Sequence, residues 1–321
     1  MDVLRDLDID STPLKGKRVA IIGYGNQGRA QALNLGDSGI DVVVGLRPES
    51  ASLHRVEQDG LPHLPPTQAV KDADIVMLLA PDEVMAALYQ TIEPQLREGA
   101  ALGFSHGLAI RFGFITPRRD LDVFMIAPKG PGSALRSLYV AGEGMLALYA
   151  IAQDATGKAL DIALAYGRAI GSGRAGLMKT SFAEECEADL FNEQAVVWGA
   201  VPEILIAGFD TLVAAGVSEE VAYMECVGEL KLLADLIETR GIAAMREAIS
   251  NTAELGAVLG GPRIVDDGVR TRMRAILDEI RAGGFANSLR DEEASGYPLL
   301  KQARETATRL NVEQARRKLF S

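Results

Sequence analysis

Lys17-Arg18-Val19-Ala20-Ile21-Ile22-Gly23-Tyr24-Gly25-Asn26-Gln27-Gly28 decides the fold of the first half of this 321-residue chain. Lys17 to Ile22 is a short β-branched run, and it leads directly into a G-x-G-x-x-G. Ala30-Gln31-Ala32-Leu33-Asn34-Leu35 follows and reads as a helix. Strand, glycine turn and helix in that order open a dinucleotide-binding βαβ unit of Rossmann type. Gly23 permits the tight turn, Gly25 lets the backbone approach a pyrophosphate, and Gly28 lets helix and strand pack closely. Free N–H groups at the helix start then receive phosphates.

The segments downstream fit the same unit. Asp41-Val42-Val43-Val44-Gly45-Leu46 is the next strand, and it exits into Arg47-Pro48-Glu49-Ser50-Ala51-Ser52. An NAD-specific site usually places an acidic residue at that strand end. A cation and two hydroxyls suit a 2′-phosphate instead, so NADPH is expected, with Glu49 the one residue opposed to it. Asp74 to Ala80 is a fully apolar strand of the buried parallel kind. Pro81 ends it, and Asp82 is placed to cap the helix that follows. Ala100 to Phe104 runs into Ser105-His106-Gly107, and Val123 to Ala127 into Pro128-Lys129-Gly130-Pro131-Gly132. Open α/β sheets bind ligands outside the carboxyl ends of their strands, which puts His106 and Lys129 on the cofactor edge.

The second half is organised around Glu185-Cys186-Glu187-Ala188-Asp189-Leu190-Phe191-Asn192-Glu193. Glu185, Asp189 and Glu193 recur every four residues, about 400° of helix, so three carboxylates climb one face. Such a row is unfavourable unless a cation or charged partner sits among it. Glu225 and Glu229 repeat the spacing. Together the two faces could hold Mg²⁺, which takes carboxylate and water oxygens; ordinary solvated helix faces are the alternative.

From about Ser181 the chain reads as almost wholly helical, with apolar residues at three- and four-residue spacing in Ala195 to Ala215, Glu219 to Arg240 and Gly268 to Ala282. Gly216, Gly241 and Gly260-Gly261-Pro262 are read as helix ends. Leu230 to Leu236 is expected in a core, and the basic tail Ala315 to Leu319 as a solvated helix end. The expected domains are therefore residues 1–181 and 182–321.

Composition bounds the function. Hydrophobic residues make up 48% and charged residues 24%, with a net charge of −11. A globular enzyme fits this, and a nucleic-acid binder, which needs a basic face, does not. Cys186 and Cys226 form neither a disulfide framework nor a zinc motif and are expected in cores. Three histidines are too few for a multi-histidine metal centre. The N-terminus lacks a signal-peptide pattern and no apolar run is read as reaching membrane-spanning length, so a cytoplasmic protein without a membrane partner is expected.

Gly23-Tyr24-Gly25-x-Gln27-Gly28, Ser105-His106-Gly107, Ala127-Pro128-Lys129-Gly130-Pro131-Gly132 and Asp189-Leu190-Phe191-x-Glu193-Gln194 together resemble the short, class I ketol-acid reductoisomerases. So do Glu229-Leu230-Lys231-Leu232 and Ile249-Ser250-Asn251-Thr252-Ala253-Glu254, and the likeness runs collinearly from about Leu4 to about Ala286. The resemblance implies a knotted all-α second domain and a homodimer or higher homo-oligomer with sites shared between subunits. It implies Mg²⁺-dependent alkyl migration on 2-acetolactate or 2-aceto-2-hydroxybutyrate, followed by NADPH reduction, in branched-chain amino acid synthesis. Asp189 and Glu193 would ligate two Mg²⁺ ions, with Glu225 and Glu229 completing the site from the partner. His106, Lys129 and Glu185 would be catalytic, and Ser250 would hold the substrate carboxylate. Gly23, Tyr24, Gly25, Asn26, Gln27, Gly28, Arg47, Ser50, Ser52, Asp82, His106 and Gly132 would bind the cofactor.

Asn26, Arg29, Ser133, Lys179 and Gly228 depart from residues frequent in that family, and the stretch after about Asn287 is hard to match. None of these removes an expected ligand. They leave open a paralogue acting on another 2-hydroxy-3-keto acid, or a simple 2-keto-acid reductase. A non-catalytic NADP-binding assembly protein is the alternative outside enzymes.

Overall fold

The computed structural model describes residues 2–320. In chain order the first unit holds β1 (Val3–Leu4), β2 (Arg18–Ile22), α1 (Asn26–Asp37), β3 (Asp41–Gly45), α2 (Leu53–Gln58), β4 (His63–Leu64), α3 (Pro66–Ala69), β5 (Ile75–Leu78) and α4 (Asp82–Ile92). It continues with β6 (Ala101–Phe104), α5 (Leu108–Arg111), β7 (Asp122–Pro128), α6 (Gly132–Val140), β8 (Ala147–Gln153), α7 (Ala159–Ala169) and β9 (Leu177–Lys179). The helices after these are α8 (Phe182–Ala195), α9 (Ala200–Ala214), α10 (Glu219–Tyr223), α11 (Leu230–Glu247), α12 (Asn251–Ile264), α13 (Asp267–Arg281), α14 (Gly284–Ala294), α15 (Pro298–Ala307) and α16 (Asn311–Phe320). The chain divides into two units, residues 1–186 and 187–321, with the division inside α8.

The nine strands form one sheet in the order β1-β9-β8-β7-β6-β5-β2-β3-β4. From β7 to β4 every neighbouring pair is parallel, while β8 against β7 and β1 against β9 are antiparallel. Parallel strands covered on both faces should be apolar throughout, and these are apart from their first residues Arg18, Asp41, His63 and Asp122. Val19 and Ile21 of β2, Val42 and Val44 of β3, Ile75 and Met77 of β5, and Phe124 and Ile126 of β7 enter one core. Their alternates Ala20 and Ile22, Val43, Val76 and Leu78, and Val123 and Met125 enter the other. Period two thus distributes one apolar run to two faces. Ala30, Ala32 and Leu35 of α1, Leu135 of α6 and Tyr166 of α7 cover the first face. Met85, Tyr89 and Ile92 of α4 cover the second. Each of the buried Val, Leu, Ile, Phe and Met side chains contributes roughly 1.5–3 kcal/mol.

The chain leaves β2 toward β3 and β4 on one side, then returns to β5 on the other side of β2. The crevice above β2 and β5 is therefore the topological switch point, where an open α/β sheet binds its ligand.

The helical unit has a small core of Phe209, Ala222, Tyr223, Val312 and Ala315. Arg316 to Leu319 are exposed, as expected of a solvated helix end, but α16 also docks: it buries Val312 and Ala315, Phe320 meets Tyr223 edge to face at 6.1 Å, and Lys318 pairs with Glu219 at 2.6 Å. Three expectations fail. Leu230, Leu232 and Leu233 are exposed and join no core among the described residues. Gly260-Gly261-Pro262 lies within α12, because proline's fixed φ is itself helical and its missing N–H removes one bond without ending the turn. The segment from Glu219 to Arg240 is not uniform α-helix, because Met224–Gly228 is a π turn; Gly241 (φ 73°), read as a helix end, does break α11. Gly216 (φ 91°) does end α9.

Candidate active site

The glycine loop joins β2 to α1. Gly23 has φ 106°, and a Cβ there would meet the Leu79 carbonyl oxygen at 2.6 Å. A Cβ on Gly28 would meet the Gly23 oxygen at 2.2 Å, whereas one on Gly25 would meet no atom within 4 Å. The loop is therefore locked from behind at two glycines and open toward ligand at the third. Above it lies a cavity of about 970 Å³, bordered at one end by Arg47, Ser50 and Ser52 beyond β3. Tyr24, Asn26 and Gln27 line its middle, and Asp82, Ser105 and His106 its other end beyond β5 and β6. Gly28 and Gly132 support the loop and do not line the cavity; a Cβ on Gly132 would sit 2.0 Å from the Asn26 carbonyl oxygen. The glycine cradle and the elongated cavity fit a dinucleotide.

Sequence reasoning missed a clamp behind this loop. Arg29 of α1 forks onto Asp59, just past α2, with Nε–Oδ2 at 2.6 Å and Nη2–Oδ1 at 2.7 Å. The buried Tyr24 hydroxyl donates to Asp59 Oδ2 at 2.8 Å. The Arg29 guanidinium holds the Asp59 carboxyl below the usual carboxylate range, while burial and Asp59 push the Tyr24 phenol up. The signal was Arg29 itself, a cation one turn into a helix whose start is to face phosphates.

Asp82 does not cap α4. Its helix begins from Pro81 without a side-chain cap, and Asp82 Oδ2 lies 2.9 Å from His106 Nδ1. Burial disfavours the imidazolium. The hydrogen bond to Asp82, the neighbouring Cys186 sulfur and the negative field of Asp82 and Glu185 outweigh it, and the His106 pKa is raised well above its ordinary value. Asp82 Oδ1 and His106 Nε2 are buried with no hydrogen-bond partner among the described residues. Both residues line the cavity.

Glu185, in the first turn of α8, is 2% exposed. Gly107, beside His106, donates its N–H to Glu185 Oε2 at 2.8 Å, and Lys129 Nζ lies 3.6 Å from Glu185 Oε1. His106, Glu185 and Lys129 thus gather at the carboxyl ends of β6 and β7, as expected. Cys186 is buried there, as expected of a core thiol, and burial raises its pKa.

In the helical unit Asp189 and Glu193 lie one turn apart on α8, while Glu225 lies in the π turn and Glu229 at its end. No group of three or more His, Cys, Asp or Glu side chains able to hold a metal converges among the described residues. The donor set is nonetheless right in kind for Mg²⁺, which takes carboxylate oxygens. Ser250 caps α12, its hydroxyl oxygen accepting the Ala253 N–H at 3.2 Å. Trp198 is 67% exposed and Leu232, Leu255, Leu259 and Ile264 are exposed as well. The helical stretch 182–214 contains an 18-residue window of mean hydropathy 1.6 that is only 6% buried, long and apolar enough to cross a membrane by length and composition alone.

Fold and site together define a nicotinamide-dependent enzyme: a Rossmann-type sheet with a dinucleotide cavity at its switch point, followed by a helical domain. Residues 13–176 match the NADPH-binding domain of acetohydroxy acid isomeroreductase, and residues 182–321 match the ketol-acid reductoisomerase C-terminal domain. An NADH-preferring ketol-acid reductoisomerase from an uncultured archean is 42% identical, with all of both chains covered and a TM-score of 0.96. The chain belongs to the ketol-acid reductoisomerase family, oxidoreductase/isomerases of branched-chain amino acid biosynthesis. Two more distant structures share only the fold. They are a semialdehyde dehydrogenase NAD-binding protein from Cupriavidus necator (21% identity, 83% and 99% of the two chains, TM-score 0.63) and a 1-pyrroline-5-carboxylate reductase from Streptococcus pyogenes (15%, 83% and 98%, TM-score 0.55).

Proposed function

We propose that this chain acts on 2-acetolactate or 2-aceto-2-hydroxybutyrate, catalysing Mg²⁺-dependent alkyl migration and then reduction by NADPH to the 2,3-dihydroxy acid. One observation carries the reading: the dinucleotide cavity ends at the Asp82–His106 pair, with the buried Glu185 and the exposed Lys129 beside it. Asp189 and Glu193 would hold the two metal ions, with Glu225 and Glu229 supplied by a second copy. When bound, Mg²⁺ polarises the substrate ketone, and dihydronicotinamide supplies hydride.

The chain's own residues handle position and protons. His106, whose protonated form Asp82 favours, would supply a proton to the reduced oxygen. Glu185, held by the Gly107 N–H and facing Lys129, is the acceptor for the tertiary hydroxyl proton as migration begins. Ser250 would donate its hydroxyl proton to the substrate carboxylate while its oxygen caps α12.

Arg47, Ser50 and Ser52 support NADPH, since a guanidinium and two hydroxyls match a 2′-phosphate. The archaeal relative favours the second reading, NADH, and Glu49 would oppose a phosphate. A ratio of kcat/KM for the two cofactors decides; a clear NADH preference overturns the Arg47 reading. The exposed apolar side chains of the helical unit, with a carboxylate set incomplete in one chain, support a homodimer. The primary experiment is NADPH oxidation with 2-acetolactate, with and without Mg²⁺. Mg²⁺-dependent turnover is expected. Reduction only of the already isomerised 2-keto acid would replace this reading with a simple reductase.

A further inference from the structure

Behind the cavity a buried hydrogen-bond chain fixes which way the Ser105 hydroxyl directs its proton. The chain starts at the Gly130 carbonyl oxygen, which can only accept. Gln27 Nε2 donates to it at 2.9 Å, leaving the Gln27 side-chain oxygen as an acceptor. Gln31 Nε2 donates one proton to that oxygen at 3.1 Å and the other to Ser105 Oγ at 2.9 Å. Gln31 Oε1 then accepts the Tyr166 hydroxyl at 2.7 Å. Gln31 and Tyr166 are fully buried, and flipping either glutamine amide would set oxygen against oxygen, Gln27 against the Gly130 carbonyl or Gln31 against Gln27.

Every polar atom of Gln31 is therefore used, and Ser105 Oγ is an acceptor within this chain. Its own proton remains to be donated, and among the described residues no protein acceptor takes it. Ser105 lines the cavity next to His106. The cavity runs from Arg47, Ser50 and Ser52 over β3, across the glycine loop, to Ser105 and His106 over β6. With the 2′ end of a dinucleotide at the first group, its nicotinamide end reaches the second.

We propose that Ser105 is a binding residue for the nicotinamide end of the cofactor, donating its hydroxyl proton to the carboxamide oxygen, and that Gln31 is the positioning residue that sets this polarity. The inference rests on the cavity being the nicotinamide cofactor site. The test is calorimetric titration of the full-length protein with NADPH and, separately, with 2′-phospho-ADP-ribose, which lacks nicotinamide. The pair NADH and ADP-ribose serves if the enzyme prefers the unphosphorylated cofactor.

Ser105→Ala is expected to weaken NADPH about three- to tenfold, the worth of one neutral hydrogen bond, and to leave 2′-phospho-ADP-ribose unchanged. Ser105→Thr, which keeps the hydroxyl, should restore NADPH affinity. Gln31→Glu places an acceptor opposite Ser105 and turns its proton away from the ligand, so it should weaken NADPH like Ser105→Ala with Ser105 intact. Equal weakening of both probes by Ser105→Ala would mean a general loosening of the loop and overturn the proposal. So would unchanged affinity for both. Failure of the wild-type protein to bind any of the four ligands would instead overturn the cofactor reading beneath it.

Discussion

Replacing Asp82 by Asn keeps the side chain's shape and its hydrogen bond to His106 but removes the charge that holds the imidazole protonated. The bond is 2.9 Å long, between side chains 23% and 18% exposed. A hydrogen bond to a charged partner contributes about 1.5–3 kcal/mol, against about 0.5–1.5 for a neutral one. The exchange should therefore cost on the order of 1–2 kcal/mol while His106 is charged, toward the lower end because some water reaches both groups. The sign of the pH dependence follows from linkage. The folded-state pKa of His106 is raised above its unfolded value near 6.5, so the stabilisation is complete below about pH 6.5 and is lost as pH rises through the folded value. Urea denaturation of both proteins, at one protein concentration across a pH series, should show a difference that is largest near about pH 6 and shrinks in alkali. The alkaline limb of the kcat profile should move to lower pH in the variant, because His106 deprotonates sooner. A pH-independent stability difference together with superposable alkaline limbs would refute the argument.

Four other outcomes are expected. Gly132→Ala places a methyl 2.0 Å from the Asn26 carbonyl oxygen, so α6 must shift from the glycine loop; a melting temperature and NADPH affinity equal to wild type would show the contact to be soft. Asp189→Asn should abolish isomerisation and leave NADPH binding within about twofold, since the cofactor edge lies on other elements; near-normal turnover would remove Asp189 from the metal site. Ser250→Ala should cost about 1 kcal/mol through the lost cap of α12 and also raise KM for 2-acetolactate; a urea midpoint shift with KM unchanged would leave only the cap. Arg47→Ala should lower kcat/KM with NADPH about 10- to 100-fold, the worth of a charge-assisted hydrogen bond, and spare NADH; equal losses with both cofactors would end its assignment to the 2′-phosphate.

The sheet was legible because parallel strands leave a plain signature. Val19 to Ile22, Val42 to Val44 and Val123 to Ala127 are apolar without alternation, and each ends in a loop bearing a chemically active side chain. What escaped depended on pairings between distant parts of the chain. Asp82 follows Pro81 in a helix-cap pattern, and only the adjacency of β5 and β6 shows that its carboxylate turns to His106 instead. Arg29, Asp59 and Tyr24 meet because α1 and α2 flank the same strand end, which no local spacing encodes. Gln31 and Tyr166, 135 residues apart, meet only once α1 and α7 cover the same face. In the helical unit, periodicity identified the apolar side of Leu230 to Leu236 but could not say what covers it. The π turn at Met224–Gly228 had no marker beyond the glycine at its end.

The two ends of the cofactor cavity differ in how freely evolution can rewrite them. Around the glycine loop a single added carbon collides with backbone at Gly23, Gly28 and Gly132, and Tyr24 is tied to Asp59 and Arg29. Substitution there disturbs the grip on any dinucleotide. Arg47, Pro48 and Glu49 stand exposed beyond β3, outside both packed faces of the sheet. With Arg47 reading the 2′-phosphate as proposed, mutations in that loop are expected to alter which ribose is accepted at little cost to folding. On that reading, cofactor preference is the trait this architecture leaves most open to change, and the grip on the dinucleotide itself the trait it holds most tightly.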